Sequence, residues 1–195
     1  MAETKKAHER RLREGFFKKY VRKPIIDIGV GRIDTWDGAD PLTPDCDTWD
    51  KDNGNAELMF VVKDGTYKTV YTSHLLEHLN EPELAIKNWF RILQEGGYLI
   101  ISVPHRDLYE RKKTLPSKWN LDHKFFLLPE TDEAPHTRSF KHMIESALKG
   151  EGYKITSLTV QDTCTNHDRP QEHGNGEYSI EAVIYKKKRR RNGTT

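Results

Sequence analysis

The stretch that decides the fold is VYTSHLLEHLNEPELAIKNWFRILQEGGYLIISVP, at residues 70–104. It is interpreted as a strand, a turn rich in ionisable side chains, an amphipathic helix and a second apolar strand. Upstream, IIDIGVG at residues 25–31 is an apolar strand that ends in a glycine loop. In open α/β sheets ligands bind at the edge where parallel strands end. The sequence therefore predicts an α/β protein with a ligand site at that edge.

Length and composition are typical of a single-domain protein. The 195 residues suffice for one core without disulfides or a structural metal. Cys46 and Cys164 belong to no C-x-x-C pattern and are interpreted as reduced thiols. No apolar run approaches the roughly 20 residues of a membrane span, and the first residues contain no hydrophobic signal core. We therefore expect a cytoplasmic protein with no integral membrane segment.

Charge is unevenly distributed along the chain, although the formal net charge is only +2. Residues 1–23 are rich in basic side chains and are expected to form a helical extension, and the basic tail 186–195 is expected to be disordered. Weak binding of the tail to nucleic acid or to an anionic membrane surface stays open as an alternative. The folded domain is predicted to span residues 24–185.

The helix of the opening block has recognisable start and stop signals. Asn80 is the expected N-cap, Pro82 lies in the first turn, Glu83 takes the capping-box position and Gly96 follows the end. The other predicted elements are helices over 5–20 and 137–148 and strands over 25–28, 46–49, 67–74, 98–103, 153–160 and 178–185.

Two segments show no clean periodicity. Residues 32–45 carry too many turn-forming residues for a full helix. Residues 105–136 combine aromatic and basic side chains, and a loop of that length in a compact domain is usually functional. We expect the second segment to be a lid-like insertion over the ligand edge.

Two short patterns resemble a dinucleotide-binding motif and a zinc-protease motif, but the surrounding sequence favours neither function. The dinucleotide fingerprint needs a third glycine three residues beyond Gly31, and that position is Asp34. The run from His74 to His78 matches the H-x-x-E-H pattern of zinc proteases. That chemistry needs both histidines on one stable helix, whereas here the first histidine closes a strand. No metal is therefore expected, and Glu77 and His78 are interpreted as structural.

The motifs together resemble those of the class I S-adenosylmethionine-dependent methyltransferases. The resemblance covers most of residues 10–130 and rests on DIGVG at 27–31, SHLLEH at 73–78 and LQEGGYLIISVP at 93–104. Within that superfamily the chain is similar to a small, type 11-like branch often linked to glycan and polysaccharide biosynthesis. The resemblance implies a Rossmann-like α/β fold, mostly parallel, with an antiparallel C-terminal strand pair and truncated early helices, and S-adenosyl-L-methionine as cofactor.

The resemblance also implies where the cofactor lies. The methionine portion would rest on Gly29 and Gly31 with Asp27 nearby, and Asp50 or Asp40 would bind the ribose hydroxyls. The rest of the implied cofactor site consists of Asn55 and Ala56 at the adenine and Ser73 and His74 at the cofactor's edge. Asn55 replaces the usual aspartate, and Ile33 replaces a third glycine.

A hydroxyl acceptor needs a proton acceptor within hydrogen-bond reach during methyl transfer. The catalytic candidates are His105, after the fifth strand that the resemblance implies, and the Asp122–His123 pair. Each could instead be structural. Basic residues in the same insertion suggest an anionic acceptor, such as a phosphorylated or nucleotide-linked sugar, with a solvated surface as the alternative: Arg106, Arg111, Lys112, Lys113, Lys118 and Lys124.

The predicted function is therefore methyl transfer to a small molecule or glycan, most simply at oxygen. Two other functions stay open. A nucleic-acid methyltransferase is suggested by the basic ends, although no Asn/Asp-Pro-Pro-Tyr/Phe-type motif follows the strand that ends at His74. A catalytically silent binding module is suggested by the departures at Ile33 and Asn55. The oligomeric state is not indicated.

Overall fold

The computed structural model describes residues 2–30, 41–163 and 176–189. The strands are Ile25–Ile28 (β1), Asp47–Trp49 (β2), Tyr67–Ser73 (β3), Leu93–Pro104 (β4), Phe126–Leu128 (β5), Thr137–Ser139 (β6), Tyr153–Asp162 (β7) and Tyr178–Lys186 (β8). The α-helices are Ala2–Arg13 (α1), Phe16–Tyr20 (α2), Pro82–Ile92 (α3) and Phe140–Ala147 (α4).

Six of these strands form one sheet, in the order β2-β1-β3-β4-β8-β7. The first four run parallel, whereas β8 is antiparallel to both β4 and β7. The strands β5 and β6 form a separate parallel pair. The predicted Rossmann-like α/β architecture, mostly parallel with an antiparallel pair near the C-terminus, is confirmed.

The register aligns the ends of the parallel strands. Ile28 in β1 lies opposite both Trp49 in β2 and Thr72 in β3, and Ser73 lies opposite Ser102 in β4. The residue that follows each strand therefore emerges at nearly the same level. This alignment creates the edge at which the candidate site lies.

Alternation along the central strands divides the core into two faces. Val70 and Leu99 point to the face covered by α3 and α4, where Trp89 and Phe140 are fully buried. The other face packs against α1 and α2 and has a smaller cluster of buried side chains: Phe16, Tyr20, Ile25, Leu42, Tyr71, Ile100 and Val183. Helices therefore cover both faces, which suits strands that are apolar on successive residues.

A buried charge network joins α1 to the sheet. The Glu181 carboxylate of β8 accepts hydrogen bonds from the guanidinium groups of Arg11, at 2.6 and 2.8 Å, and Arg10, at 3.3 and 3.4 Å. Arg10 also donates through Nε to both oxygens of Glu177, at 3.0 and 3.1 Å, and Arg11 donates to the Tyr71 hydroxyl at 2.9 Å. All five side chains are buried. The basic N-terminal segment is thus held in place by ion pairs that the sheet supplies.

The start of α3 differs from the sequence prediction. Its N-cap is Glu81, not Asn80, and no side chain caps the helix. The Glu57 carboxylate instead accepts hydrogen bonds from the backbone N–H groups of Asn80 and Glu81, at 2.7 and 3.0 Å. Glu83 pairs with Arg138 rather than closing a capping box. A distant loop has therefore replaced the local cap.

Other element boundaries also differ. The helix predicted over 5–20 is interrupted at Gly15, which has φ +65°. Helix α3 ends at Ile92, and Gly96 lies inside β4, whose pairing with β3 is irregular before Tyr98. The helix predicted from residue 137 begins at Phe140, because the preceding residues form β6.

Residues 105–136 form an ordered, packed segment. Arg106–Glu110 make a turn of π-helix, and β5 follows with all three side chains buried. The backbone N–H of Lys124 donates to the carbonyl of Glu77 at 2.8 Å, which fixes the segment beside the turn after β3. This contact brings the segment to the candidate site.

Among the described residues, no helix is long and apolar enough to cross a membrane. Several sequence predictions fall outside the described ranges: the contacts of Gly31 and Asp40, most of the loop predicted over 32–45, the thiol state of Cys164, and the last six residues of the tail predicted to be disordered.

Candidate functional site

The turn after β1 is tightly packed around Gly29. Its backbone N–H donates to the carbonyl of Trp49 at 2.7 Å, and its φ is +84°, a conformation that favours glycine. A Cβ at this position would lie 2.9 Å from a methyl carbon of Leu75. Glycine is therefore required here both by the backbone and by the turn that follows β3.

Asp27 lies one residue before the end of β1 and is buried. Burial raises the pKa of its carboxyl to about 7, although a hydrogen bond from the backbone N–H of Leu42, 2.8 Å away, and the charge of Arg11 partly oppose the shift. The carboxyl thereby ties Leu42, which precedes β2, to β1.

The residues after β2 form a short capped turn. Asp50 caps a 3₁₀ helix over Lys51–Asn53 through a 2.7 Å hydrogen bond from the backbone N–H of Lys51. The Asn55 side-chain oxygen accepts from the Glu57 backbone at 2.6 Å, and the carbonyl of Ala56 accepts from the Trp89 indole at 2.9 Å. Asp50 therefore follows β2 at the same edge of the sheet as Gly29, and Ala56 is held against α3.

His74 follows β3 in a left-handed conformation, with φ +53°. Its backbone N–H donates to the carbonyl of Ser102 at 2.9 Å, and its side chain is 27% exposed. The imidazole lies 3.8 Å from a carboxylate oxygen of Glu3 and 3.7 Å from one of Glu77. Burial lowers the pKa of His74, which favours a neutral ring at the end of this strand.

His105 begins the segment after β4 as a cap. Its Nδ1 accepts a hydrogen bond from the backbone N–H of Asp107 at 3.1 Å. In the neutral ring the proton then lies on Nε2. Burial lowers the pKa of His105, which favours that neutral form. This geometry supports the structural alternative for His105 and offers no free nitrogen to accept a proton.

The structure separates the Asp122–His123 pair. The exposed Asp122 carboxylate lies 3.1 Å from Nδ1 of His78 and accepts from Lys124 at 2.9 Å. His123 is buried, and its Nδ1 is hydrogen-bonded to Glu110. The two neighbours therefore orient two different histidines and do not form an Asp–His pair of their own.

Both histidines point toward Glu77, which sequence reasoning had given only a structural role. The ligand atoms of Glu77, His78 and His123 all lie within 4.8 Å of one another. Burial raises the pKa of Glu77 and lowers that of His78. The H-x-x-E-H pattern at residues 74–78 was the sequence feature that could have pointed to Glu77 and His78. Their partner His123 lies on a segment whose position no local pattern predicts.

Sequence comparison assigns the chain to a family. The methyltransferase domain family matches residues 10–158, most of the chain. The chain belongs to that family. No curated protein matches the sequence.

Solved structures share the fold of this methyltransferase. An S-adenosylmethionine-dependent methyltransferase from Thermotoga maritima is 19% identical with a TM-score of 0.51, covering 96% of this chain and 98% of its own. One from Methanosarcina mazei is 15% identical, TM-score 0.51, covering 89% and 98%. The [4+2]-cyclase SpnF is 13% identical, TM-score 0.54, covering 91% and 80%. Since one neighbour is a cyclase, the fold alone does not define the reaction.

The family and the fold imply S-adenosyl-L-methionine as the methyltransferase's cofactor. The residues present fit such a group. A glycine turn at Gly29, the partly exposed carboxylate of Asp50 and the polar turn at Ser73 emerge at one level of three adjacent strands. A hydroxyl-rich nucleoside requires this combination of close backbone approach and carboxylate acceptors.

The basic residues of the methyltransferase's 105–136 segment are mostly engaged with protein groups. Arg106 is buried between Asp107 and Glu133, at 2.8 and 2.7 Å. The other described contacts are Lys113 with Glu133, Lys112 with the carbonyl of Pro116, Lys124 with Asp122, Lys118 with the Trp119 ring and Arg111 with the carbonyl of Leu108. These contacts favour a structural role for Arg106 over recognition of an anionic acceptor.

Proposed function

We propose that this methyltransferase transfers the methyl group of S-adenosyl-L-methionine to a hydroxyl oxygen of a small molecule or glycan. The observation that supports this function is the position of the histidines. His74, His78 and His123 gather beside the strand ends that would hold the methyl donor. A hydroxyl must lose its proton as it is methylated, and such a cluster suits that task.

The cofactor site follows from the strand ends. The turn at Gly29 accommodates the methionine portion, and Asp50 accepts hydrogen bonds from the ribose hydroxyls in this proposal. Asn55 and Ala56 are proposed to border the adenine, and Ser73 and His74 the sulfonium side. We assign Asp27 to positioning Leu42 rather than the cofactor, because its buried carboxyl accepts a hydrogen bond from the Leu42 backbone.

The reaction needs little covalent chemistry from the protein. A sulfonium methyl is already activated, and S-adenosylhomocysteine leaves when the sulfur–carbon electron pair returns to sulfur. The acceptor oxygen forms the new bond to carbon and gives up its proton. Alignment of that oxygen with the sulfur–carbon bond supplies much of the rate acceleration. The residues of the 105–136 segment, proposed as the lid over this edge, would hold the acceptor and exclude water.

Among His105, Asp122 and His123, the residue best placed to act as a base is His123. Its Nδ1 is hydrogen-bonded to the acceptor-only carboxylate of Glu110, so its Nε2 is the nitrogen free to accept. Asp122 acts on His78 in the same way and is therefore a positioning residue. His105 has its Nδ1 engaged with the backbone, and we assign it the role of a cap.

Cofactor binding is tested first by calorimetry with S-adenosylmethionine and S-adenosylhomocysteine. We expect Asp50→Asn to weaken binding about tenfold, because a charged hydrogen bond to the ribose is lost. Asp52→Asn in the same 3₁₀ helix is the matched control and should bind as the wild type does. No binding at cofactor concentrations near 1 mM would refute the enzymatic function and leave the binding module as the better interpretation.

The acceptor is identified by release of S-adenosylhomocysteine in the presence of defined substrates. The panel contains free glycans, phosphorylated sugars, nucleotide-linked sugars, RNA and DNA. Methylation of a sugar hydroxyl would support the proposal and its link to glycan biosynthesis. Methylation confined to nucleic acid would replace the proposal with the alternative function. The cytoplasmic location stays a prediction from the sequence, based on the cysteine pattern and on the lack of a long apolar run or a hydrophobic signal core.

A further inference from the structure

Glu77 is an unusual carboxylate because it is buried without a hydrogen bond. It is 1% exposed, and neither of its oxygens has a hydrogen-bond partner within the ranges that the structure describes. Its Oε1 faces Nε2 of His78 and Nε2 of His123, each 3.9 Å away. These separations, and the 3.7 Å from Nδ1 of His74 to the same oxygen, exceed hydrogen-bond length, so the carboxylate faces three imidazole nitrogens without bonding to any of them.

The partner of Nδ1 in each imidazole ring determines which of the two ring nitrogens carries the proton. Nδ1 of His78 lies 3.1 Å from the Asp122 carboxylate, and Nδ1 of His123 is hydrogen-bonded to Glu110. A carboxylate accepts only, so each Nδ1 carries the proton. Nε2 of each ring is then the nitrogen that faces Glu77. Three potential ligand atoms, one from each side chain, therefore lie within 4.8 Å of one another.

We propose that Glu77, His78 and His123 bind a divalent first-row transition-metal ion. The donor set of two imidazoles and one carboxylate occurs in catalytic zinc sites and in non-haem iron sites. Ligands about 2.1 Å from a tetrahedral ion lie roughly 3.4 Å apart. Closing the 3.9 Å separations to that value requires each nitrogen to approach the carboxylate by about half an ångström. The cluster as a whole, whose ligand atoms lie within 4.8 Å of one another, would contract to the same spacing.

The surroundings have two further features of a metal centre. A carboxylate behind each ligating histidine fixes its tautomer and orientation, as Asp122 and Glu110 do here. The Glu110 carboxylate is itself held by the Ser117 hydroxyl at 2.5 Å. The His78 side chain is 20% exposed, so the site has an open side at which a substrate oxygen could complete the coordination.

The catalytic consequence rests on the proposed function. Glu77 and His78 lie in the turn that directly follows β3, and the packed 105–136 segment brings His123 to them. All three therefore lie beside the edge proposed for the methyl donor. An ion there would bind the acceptor hydroxyl and favour its ionisation, with the proton passing to solvent. The Nε2 lone pair of His123 would then be a metal ligand instead of a base.

The test uses the full chain without a polyhistidine tag, stripped with chelator and titrated calorimetrically with Zn²⁺, Co²⁺ and Mg²⁺. We expect one equivalent of Zn²⁺ or Co²⁺ to bind, with visible absorption bands for Co²⁺, and Mg²⁺ to bind far more weakly because it prefers oxygen ligands. His78→Gln changes a partly exposed side chain and should fold. It should weaken binding at least tenfold, and Glu110→Gln about 10- to 100-fold through the orientation of His123.

The matched control is His142→Gln. His142 is also bound through Nδ1 to an aspartate, Asp132 at 2.7 Å, but lies outside the cluster. Its variant should bind metal normally. Absence of stoichiometric binding, or binding that His78→Gln leaves unchanged, would overturn the proposal. Calorimetry with S-adenosylmethionine on the same samples separates the two ideas: metal binding without cofactor binding refutes only the methyltransferase function, and the reverse refutes only the metal site.

Discussion

Replacing Glu181 with glutamine is expected to destabilise the protein strongly. The carboxylate accepts four hydrogen bonds from Arg10 and Arg11, the shortest at 2.6 and 2.8 Å, and all three side chains are buried. Glutamine keeps the shape, but one oxygen becomes an NH₂ group that faces guanidinium donors, and the negative charge is lost. Removing one partner of a buried ion pair costs about 3–5 kcal/mol.

The measurement is urea denaturation followed by circular dichroism. With a slope near 2 kcal/mol/M, a loss of about 4 kcal/mol lowers the midpoint by roughly 2 M. Asp45→Asn serves as the control, because Asp45 pairs with Lys23 at an exposed site where both side chains are at least half exposed. Its midpoint should change by less than about 0.3 M, since exposed pairs contribute little.

A midpoint shift below about 0.5 M for Glu181→Gln, with an unchanged slope, would show that the network contributes no more than a surface pair. A further variant distinguishes charge loss from packing. Combining Glu181→Leu with Arg11→Met removes both members of the shortest contact, and apolar replacement of a buried pair is often tolerated. We expect this double variant to be more stable than Glu181→Gln.

Two further perturbations test the sheet. Asp27 has a folded pKa of about 7 against about 3.9 when unfolded, so the folded state binds the extra proton and stability falls as pH rises between these values. Asp27→Asn should therefore be more stable than the wild type at pH 8, by up to about 4 kcal/mol, and nearly equal to it at pH 4. Urea titrations at both pH values measure this difference. Equal stability at pH 8 would contradict the raised pKa of Asp27. For Gly97→Ala, the new Cβ would lie 2.5 Å from the carbonyl oxygen of Lys68, whereas Gly152→Ala meets only an ordinary contact at 3.7 Å. Thermal unfolding should show a loss of more than about 2 kcal/mol for the first and little change for the second; equal melting temperatures would refute the steric argument.

The strands were predictable because their signal is local. Ile25–Ile28 is buried at every residue, and Tyr67–Ser73, rich in β-branched and aromatic side chains, is buried at five of its seven residues, as in a strand covered on both faces. The cap of α3 was not predictable. Asn80 carries a favourable capping residue type, but Glu57, more than twenty residues earlier, binds the same backbone groups. A competing tertiary contact leaves no trace in the local pattern.

The candidate site was predictable in part for the same reason. Gly29 and His74 were correctly placed at the ends of adjacent strands, since strand ends follow from the pattern and the topology. Their proposed contacts with the cofactor stay predictions. The partners of Glu77 were missed because His123 reaches it across a segment without periodicity. Chain neighbours such as Asp122 and His123 proved to serve different histidines.

The position of β8 has a consequence for synthesis of the chain. This strand follows all others in the sequence but lies between β4 and β7 in the sheet. Until β8 has left the ribosome, the edge of β4 that pairs with it has open hydrogen-bonding groups. Translation that stalls before residue 178 would therefore yield an aggregation-prone fragment. A chaperone that covers the β4 edge would act before β8 is synthesised.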